Sequence, residues 1–109
     1  MSHHNLSASE ALALIRARQL SAEALTRACV ERIEAREPDV RAWVDFDPAH
    51  AVAQARAADE IQRQGKPLGV LHGIPVAIKD IFDTTDFPTQ WGSSLLAGRQ
   101  PKEDSAAVS

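Results

Sequence analysis

The stretch Pro67-Leu68-Gly69-Val70-Leu71-His72-Gly73-Ile74-Pro75-Val76-Ala77-Ile78-Lys79-Asp80 decides how this chain reads. Successive side chains of an extended segment point to opposite sides. Ile74, Val76 and Ile78 therefore share one face, and Pro75, Ala77 and Lys79 the other. This alternation predicts a short strand over 74–80. Pro75 has no N–H for a ladder, so it assigns the strand to an edge or occupies its first positions. All five glycines and three of the six prolines lie between Gly65 and Gly98. Residues 83–94, rich in Thr, Asp, Pro, Gly and Ser, read as a structured loop.

Lys79 is the candidate catalytic residue. It closes an apolar strand, where a lysine is expected to be partly withdrawn from water. Desolvation disfavours an ammonium, and a lysine held near neutrality takes a proton from a hydroxyl. The plainer reading packs its stem along the sheet and sends its head to water, Asp80 or Asp83.

Upstream, helical signals dominate. Ser7 and Glu10 have the spacing of a capping box, followed by Ala8, Ala11, Leu12 and Ile15 on one face. Ser21 is a candidate N-cap for a second helix, with Ala22, Leu25, Cys29 and Ile33 at helical spacing, and Pro38 is expected to stop it. Residues 41–46 can form a strand with Ala42, Val44 and Phe46 on one face. Asp47-Pro48 marks the start of a third helix, expected to run to about Gln64 and close on Gly65. Its expected buried face is Ala49, Val52, Ala53, Ala57 and Ile61. Downstream, Asp104 or Ser105 is positioned to cap another helix whose first turn holds Ala106, Ala107 and Val108. The sequence stops in that turn, which reads as a truncated chain.

Length and composition bound the remainder. The 109 residues amount to one domain or part of one. The division expected is one partial domain over 1–109, with helices and a first strand in 1–64 and the lysine strand, loop and helix start in 65–109. A hydrophobic share of 44% with 25% charged residues is ordinary for a globular chain. The net charge of −3 offers no basic footprint for nucleic acid. No apolar run approaches the ~20 residues of a membrane span. The first residues lack a signal-peptide pattern, and the lone Cys29 cannot pair within the chain. These features favour a cytoplasmic setting.

The glycine- and proline-rich region resembles one family closely. The run from Gly69 through Ile74-Pro75-Val76-Ala77-Ile78-Lys79-Asp80 is similar to the catalytic-lysine strand of amidase signature enzymes, whose pattern is G-P-L-x-G-I/V-P-V-x-V/I-K-D. Asp83-Thr84, Pro88-Thr89 and Gly92-Ser93 resemble the continuation D-T-x-x-x-P-T-x-x-G-S. Asp104-Ser105-Ala106 resembles the step into the family's next helix, and the helix–strand–helix order with Asp47-Pro48 matches upstream. Two departures bear on subgroup and substrate: Ile81 stands where many members have asparagine, and Asp86-Phe87 where many have glycine before Pro-Thr.

The resemblance implies an α/β fold, here the N-terminal part of an α/β/α sandwich with a mixed β-sheet. It implies hydrolysis of linear amides by a nucleophilic serine, a bridging cis-serine and a lysine that finally accepts the proton. Only the lysine carries over, onto Lys79; the family's serines and oxyanion-hole donors lie beyond Ser109. The isolated 109 residues are therefore expected to be inactive. The implied partner is a small-molecule amide, with no cofactor, metal, nucleic acid or membrane. Oligomeric state stays open, a homodimer included. Two alternatives accompany this reading: the glutaminase subunit of a tRNA-dependent amidotransferase, and a non-catalytic interaction module derived from the same scaffold.

Other candidates have plainer readings. His72 is more often a satisfied loop residue than an orienting group. His3 and His4 lack the further ligands of a metal site, and Cys29 lies on an apolar helical stripe. Trp91 lines a pocket or fills the core. Ser93 and Ser94 lack the G-x-S-x-G pattern of an exposed nucleophile. The spacing of Gly65, Gly69 and Gly73 leads into a strand rather than a phosphate-binding helix.

Overall fold

A computed structural model describes residues 2–109. Among the described residues the regular elements are three α-helices, α1 (Ala8–Arg16), α2 (Ala22–Val40) and α3 (Pro48–Arg63), and two short 3-10 turns, His3–Asn5 and Ser94–Leu96. The chain forms two compact units. One holds the residues up to Ala42 together with Asp47–Pro75; the other holds Trp43–Phe46 and Val76–Ser109.

In the helical unit, α1 begins on the expected capping box. Ser7 Oγ accepts from the Glu10 amide at 3.1 Å, and Glu10 Oε1 accepts from the Ser7 amide at 3.2 Å. Each contact satisfies a helix-end amide that has no partner within the helix. α1 ends in a Schellman turn, with Arg18 N–H donating to Ile15 O and Gln19 N–H to Leu14 O. Arg18 takes the left-handed conformation there, at φ 59.

α2 begins where Ser21 Oγ accepts from the Ala24 amide. It does not stop at Pro38: the proline lies inside the helix, which runs two residues further to Val40. Proline forfeits one backbone bond, and its φ is already helical. Here the loss falls in the final turn, where Pro38, Asp39 and Val40 are exposed. Arg41, left-handed at φ 51, ends the helix instead. α3 starts on Asp47, whose carboxylate accepts from the His50 amide, with Pro48 in its first turn. Gly65 closes it at φ +70.

The core of this unit is Ala11, Ile15, Leu20 and Leu25, with Leu6, Leu14, Ala24, Cys29 and Ile74 packed around it. Fully burying a side chain of the size of Ile15 or Leu25 contributes roughly 1.5–3 kcal/mol. Of the alanine-rich face expected on α3, only Val52 is buried. Val52 and Ala55 are buried, whereas Ala49, Ala53, Ala57 and Ile61 are exposed. The inward stripe carries Asp59 and Gln62, whose polar groups are engaged. Asp59 Oδ1 and Oδ2 accept from the Ala22 and Glu23 amides at 2.7 and 3.1 Å, adding a second cap to α2. Gln62 Nε2 donates to Ile15 O at the end of α1 at 2.7 Å. Helix-end groups need partners, and these bonds supply them from the same face that buries Val52 and Ala55.

The expected mixed β-sheet is not present: no strand occurs among the described residues, and the elements here are helical. Residues 41–46 and 74–80 have no ladder. A strand exists only through backbone bonds to a neighbour, and neither segment pairs with another here. Val76 and Ile78 accordingly lie exposed, at 67% and 41%. Trp43 and Phe46 contact each other with ring centroids 5.4 Å apart. That three-residue spacing is incompatible with strand alternation.

The second unit is held by side chains and turns. Its buried residues are Thr84, Thr89 and Pro101. The Arg99 guanidinium grips Asp83 with two bonds of 2.8 and 3.1 Å. Asp104 Oδ1 accepts from the Thr85 amide and hydroxyl, and Gln100 donates to Thr85 O. Asp104 therefore fastens the loop. The turn that follows opens with the Val108 and Ser109 amides on Ser105 O.

Candidate functional site

Lys79 lies where the 76–109 unit leaves its irregular apolar run and turns. Its main-chain carbonyl accepts from the amides of Ile81 and Phe82 at 2.7 and 3.1 Å, which reverses the chain just beyond it. Its side chain is exposed, so the desolvation expected of a strand position is not supplied by the described residues. The cause is the absent ladder, since no neighbouring strand lies against it. Lys79 makes no ion pair with Asp80 or Asp83 among the described residues; Asp83 is engaged by Arg99.

Asp80 connects the lysine segment to the loop. Its Oδ1 accepts from the Gln90 amide at 2.8 Å, and its main-chain carbonyl accepts from the Trp91 amide at 3.0 Å. Its Oδ2 is buried with no hydrogen-bond partner among the described residues. Gln90 carries the tie onward, its side-chain oxygen accepting from the Gly98 amide at 2.9 Å. Trp91 and Gly92 both take left-handed backbone conformations, at φ 55 and 66. Trp91 is 61% exposed, so it does not fill a core within these residues.

The loop's ion pair has a defined electrostatic effect. Hydrogen bonds from Arg99 hold the Asp83 carboxyl below the usual carboxylate range, and the same pairing raises the Arg99 guanidinium. In the helical unit, Glu23 accepts from Arg56 and Arg27, which lower its carboxyl in that order of importance. Exposed pairs of this kind contribute little to stability.

The other candidates occupy structural positions. His72 is half-buried, and Nε2, in the tautomer that protonates it, donates to Ala58 O at 2.9 Å. Cys29 packs against the helical core, and burial pushes its thiol up. Ser93 Oγ accepts from the Leu95 amide and caps the 3-10 turn. Among the described residues no group of three His, Cys, Asp or Glu is placed to hold a metal, and no helix is long and apolar enough to cross a membrane.

Sequence reasoning singled out Lys79 and missed the buried Oδ2 of the half-buried Asp80. No local signal discloses an unpartnered carboxylate oxygen. Likewise, nothing in the alanine-rich pattern of α3 identifies Asp59 as a cap for a helix 37 residues earlier in the chain.

The segment that carries Lys79, with its Pro88-Thr89 and Gly92-Ser93 continuation, falls inside the match to one family model. The family model described as Amidase matches residues 24–109, and the chain belongs to the amidase family. Its relatives include proteins named as one of the subunits of glutamyl-tRNA(Gln) amidotransferase. The one from Chloroflexus aurantiacus is 45% identical over 105 residues, covering 96% of this chain and 22% of the relative. That of Streptomyces coelicolor is 44% identical over 103 residues, covering 94% and 21%. That of Myxococcus xanthus is 40% identical over 99 residues, covering 91% and 20%. The chain thus spans about a fifth of the length of these relatives.

Proposed function

We propose that this chain is the lysine-bearing part of an amidase that cleaves a carbon–nitrogen amide bond of a linear amide. The family match through the Lys79 segment carries the proposal. In the Ser–cis-Ser–Lys mechanism, a serine hydroxyl attacks the amide carbonyl. Its proton passes through the bridging serine to the lysine amine and is then returned to the nitrogen, which leaves as ammonia or an amine as its bond to the carbonyl carbon breaks. Water then releases the acyl group. Lys79 is the proton acceptor in this reading, and both serines lie outside the 109 residues. The isolated chain is accordingly without hydrolytic activity.

The relatives' names favour a specific version. The whole protein would be the amide-cleaving subunit of a glutamyl-tRNA(Gln) amidotransferase, with glutamine as the amide and other protein subunits as partners. The acidic balance and lone cysteine support a cytoplasmic setting.

The test is ammonia release from glutamine and from a short aliphatic amide such as propionamide, by the complete protein and by residues 1–109. The complete protein is expected to turn over at least one amide. Lys79→Ala is expected to lower that turnover roughly 10²- to 10⁴-fold, the range of a lost general base. Full turnover in Lys79→Ala would remove the lysine from the mechanism. Hydrolysis by residues 1–109 would refute the assignment of the serines. Preference for glutamine and co-purification of further subunits would select the amidotransferase version over a free hydrolase.

A further inference from the structure

We infer that Asp80 is a positioning residue for Lys79, holding the lysine segment to the 90–92 loop with one carboxylate oxygen and reserving the other as acceptor for a hydrogen-bond donor of the assembled active site. The inference rests on the reading of Lys79 as the proton acceptor.

Three observations carry it. First, two consecutive amides of the loop close on this one residue, Gln90 N–H on Oδ1 and Trp91 N–H on the main-chain carbonyl. The backbone bearing Lys79 is thereby fixed from its very next residue. Second, the loop is strained where it is gripped. Trp91 holds φ 55 next to Gly92 at φ 66, a conformation unfavourable for a bulky residue. Such strain persists only where surrounding bonds enforce it, and it gathers at functional sites.

Third, the staple uses only half of the carboxylate. An asparagine would accept from Gln90 N–H equally well through a single oxygen. Oδ2 is buried without a partner among the described residues, and leaving a buried acceptor unbonded is costly. A carboxylate at this position is therefore in excess of what the loop needs, one residue from the proposed base. Among the described residues, Ser105 Oγ is also buried and unpartnered, but it belongs to a neutral hydroxyl and carries a smaller penalty.

Asp80→Asn tests this in the complete protein, because it keeps one oxygen for Gln90 and replaces the other with a donor. Kinetics on glutamine and propionamide are measured beside thermal unfolding, with Lys79→Met as the control. Expected for Asp80→Asn are an unfolding midpoint close to wild type, kcat lower by roughly 10- to 100-fold, and KM nearly unchanged, as when a partner orienting a functional group is lost. Asp80→Glu retains the charge but displaces it, and is expected to fold and to lower kcat at constant KM. This second variant decides the matter if Asp80→Asn does not fold. Wild-type kcat in a folded variant, with Lys79→Met inactive, overturns the role of Asp80 and spares the lysine. An active Lys79→Met overturns the reading of the lysine, and the positioning role with it.

Discussion

Gly73→Ala is expected to destabilise the helical unit by about 2–5 kcal/mol. Two contributions add. Gly73 sits at φ +82, where a Cβ costs about 1–2 kcal/mol against the following carbonyl. That Cβ would also lie 3.1 Å from Ala22 Cβ and 3.2 Å from Ile15 Cδ1. Both neighbours are completely buried. Ala22 Cβ is fixed to the helix backbone and cannot rotate aside, and Ile15 is enclosed by the core, so overpacking adds about 1–3 kcal/mol. The assay is urea unfolding followed by far-ultraviolet circular dichroism, with two other glycines as internal references. Gly65 has φ +70 and open space around it, so Gly65→Ala reports the backbone strain alone. Gly69 has neither constraint, so Gly69→Ala is expected to lie within about 0.5 kcal/mol of wild type. If Gly73→Ala matches Gly65→Ala, the close approach to Ile15 and Ala22 is yielding and the packing argument is refuted. If it matches Gly69→Ala, the backbone argument falls too.

Asp59→Ala is expected to cost about 1–3 kcal/mol, since it strips the acceptors from the Ala22 and Glu23 amides, the first belonging to a fully buried residue. Asp59→Asn, which keeps one acceptor, should cost less; equal denaturant midpoints for Asp59→Ala and wild type would show that Ser21 caps α2 unaided. The Asp83–Arg99 pair should give acid sensitivity of a defined sign. Arg99 depresses the folded-state Asp83 carboxyl, so its contribution is present above the unfolded carboxylate value of about 3.9 and disappears as pH falls through the lower folded value. The stability difference between wild type and Arg99→Met should therefore be constant from neutrality to about pH 5 and narrow below about pH 4; a gap that widens on acidification would contradict the pairing.

Local chemistry made much of this protein readable from its residues. The Ser7–Glu10 box, the Ser21 cap, the Asp47-Pro48 start and the Gly65 close all act within a few residues. Their geometry depends on little else, so three helices were legible. The Lys79 segment was legible as a spaced motif, and the family match agrees with it. Tertiary structure decided three further matters. Strand formation at 41–46 and 74–80 requires a partner backbone, which alternation alone does not provide. The inward face of α3 shares only Val52 with the expected apolar stripe and includes Asp59 and Gln62, which bond to the ends of other helices. The Asp80 carboxylate acquired one bonded and one buried, unpartnered oxygen only when Gln90 and Trp91 folded back onto it. Caps and turns are encoded by neighbours along the chain, whereas pairing, facing and burial depend on residues that only folding brings together.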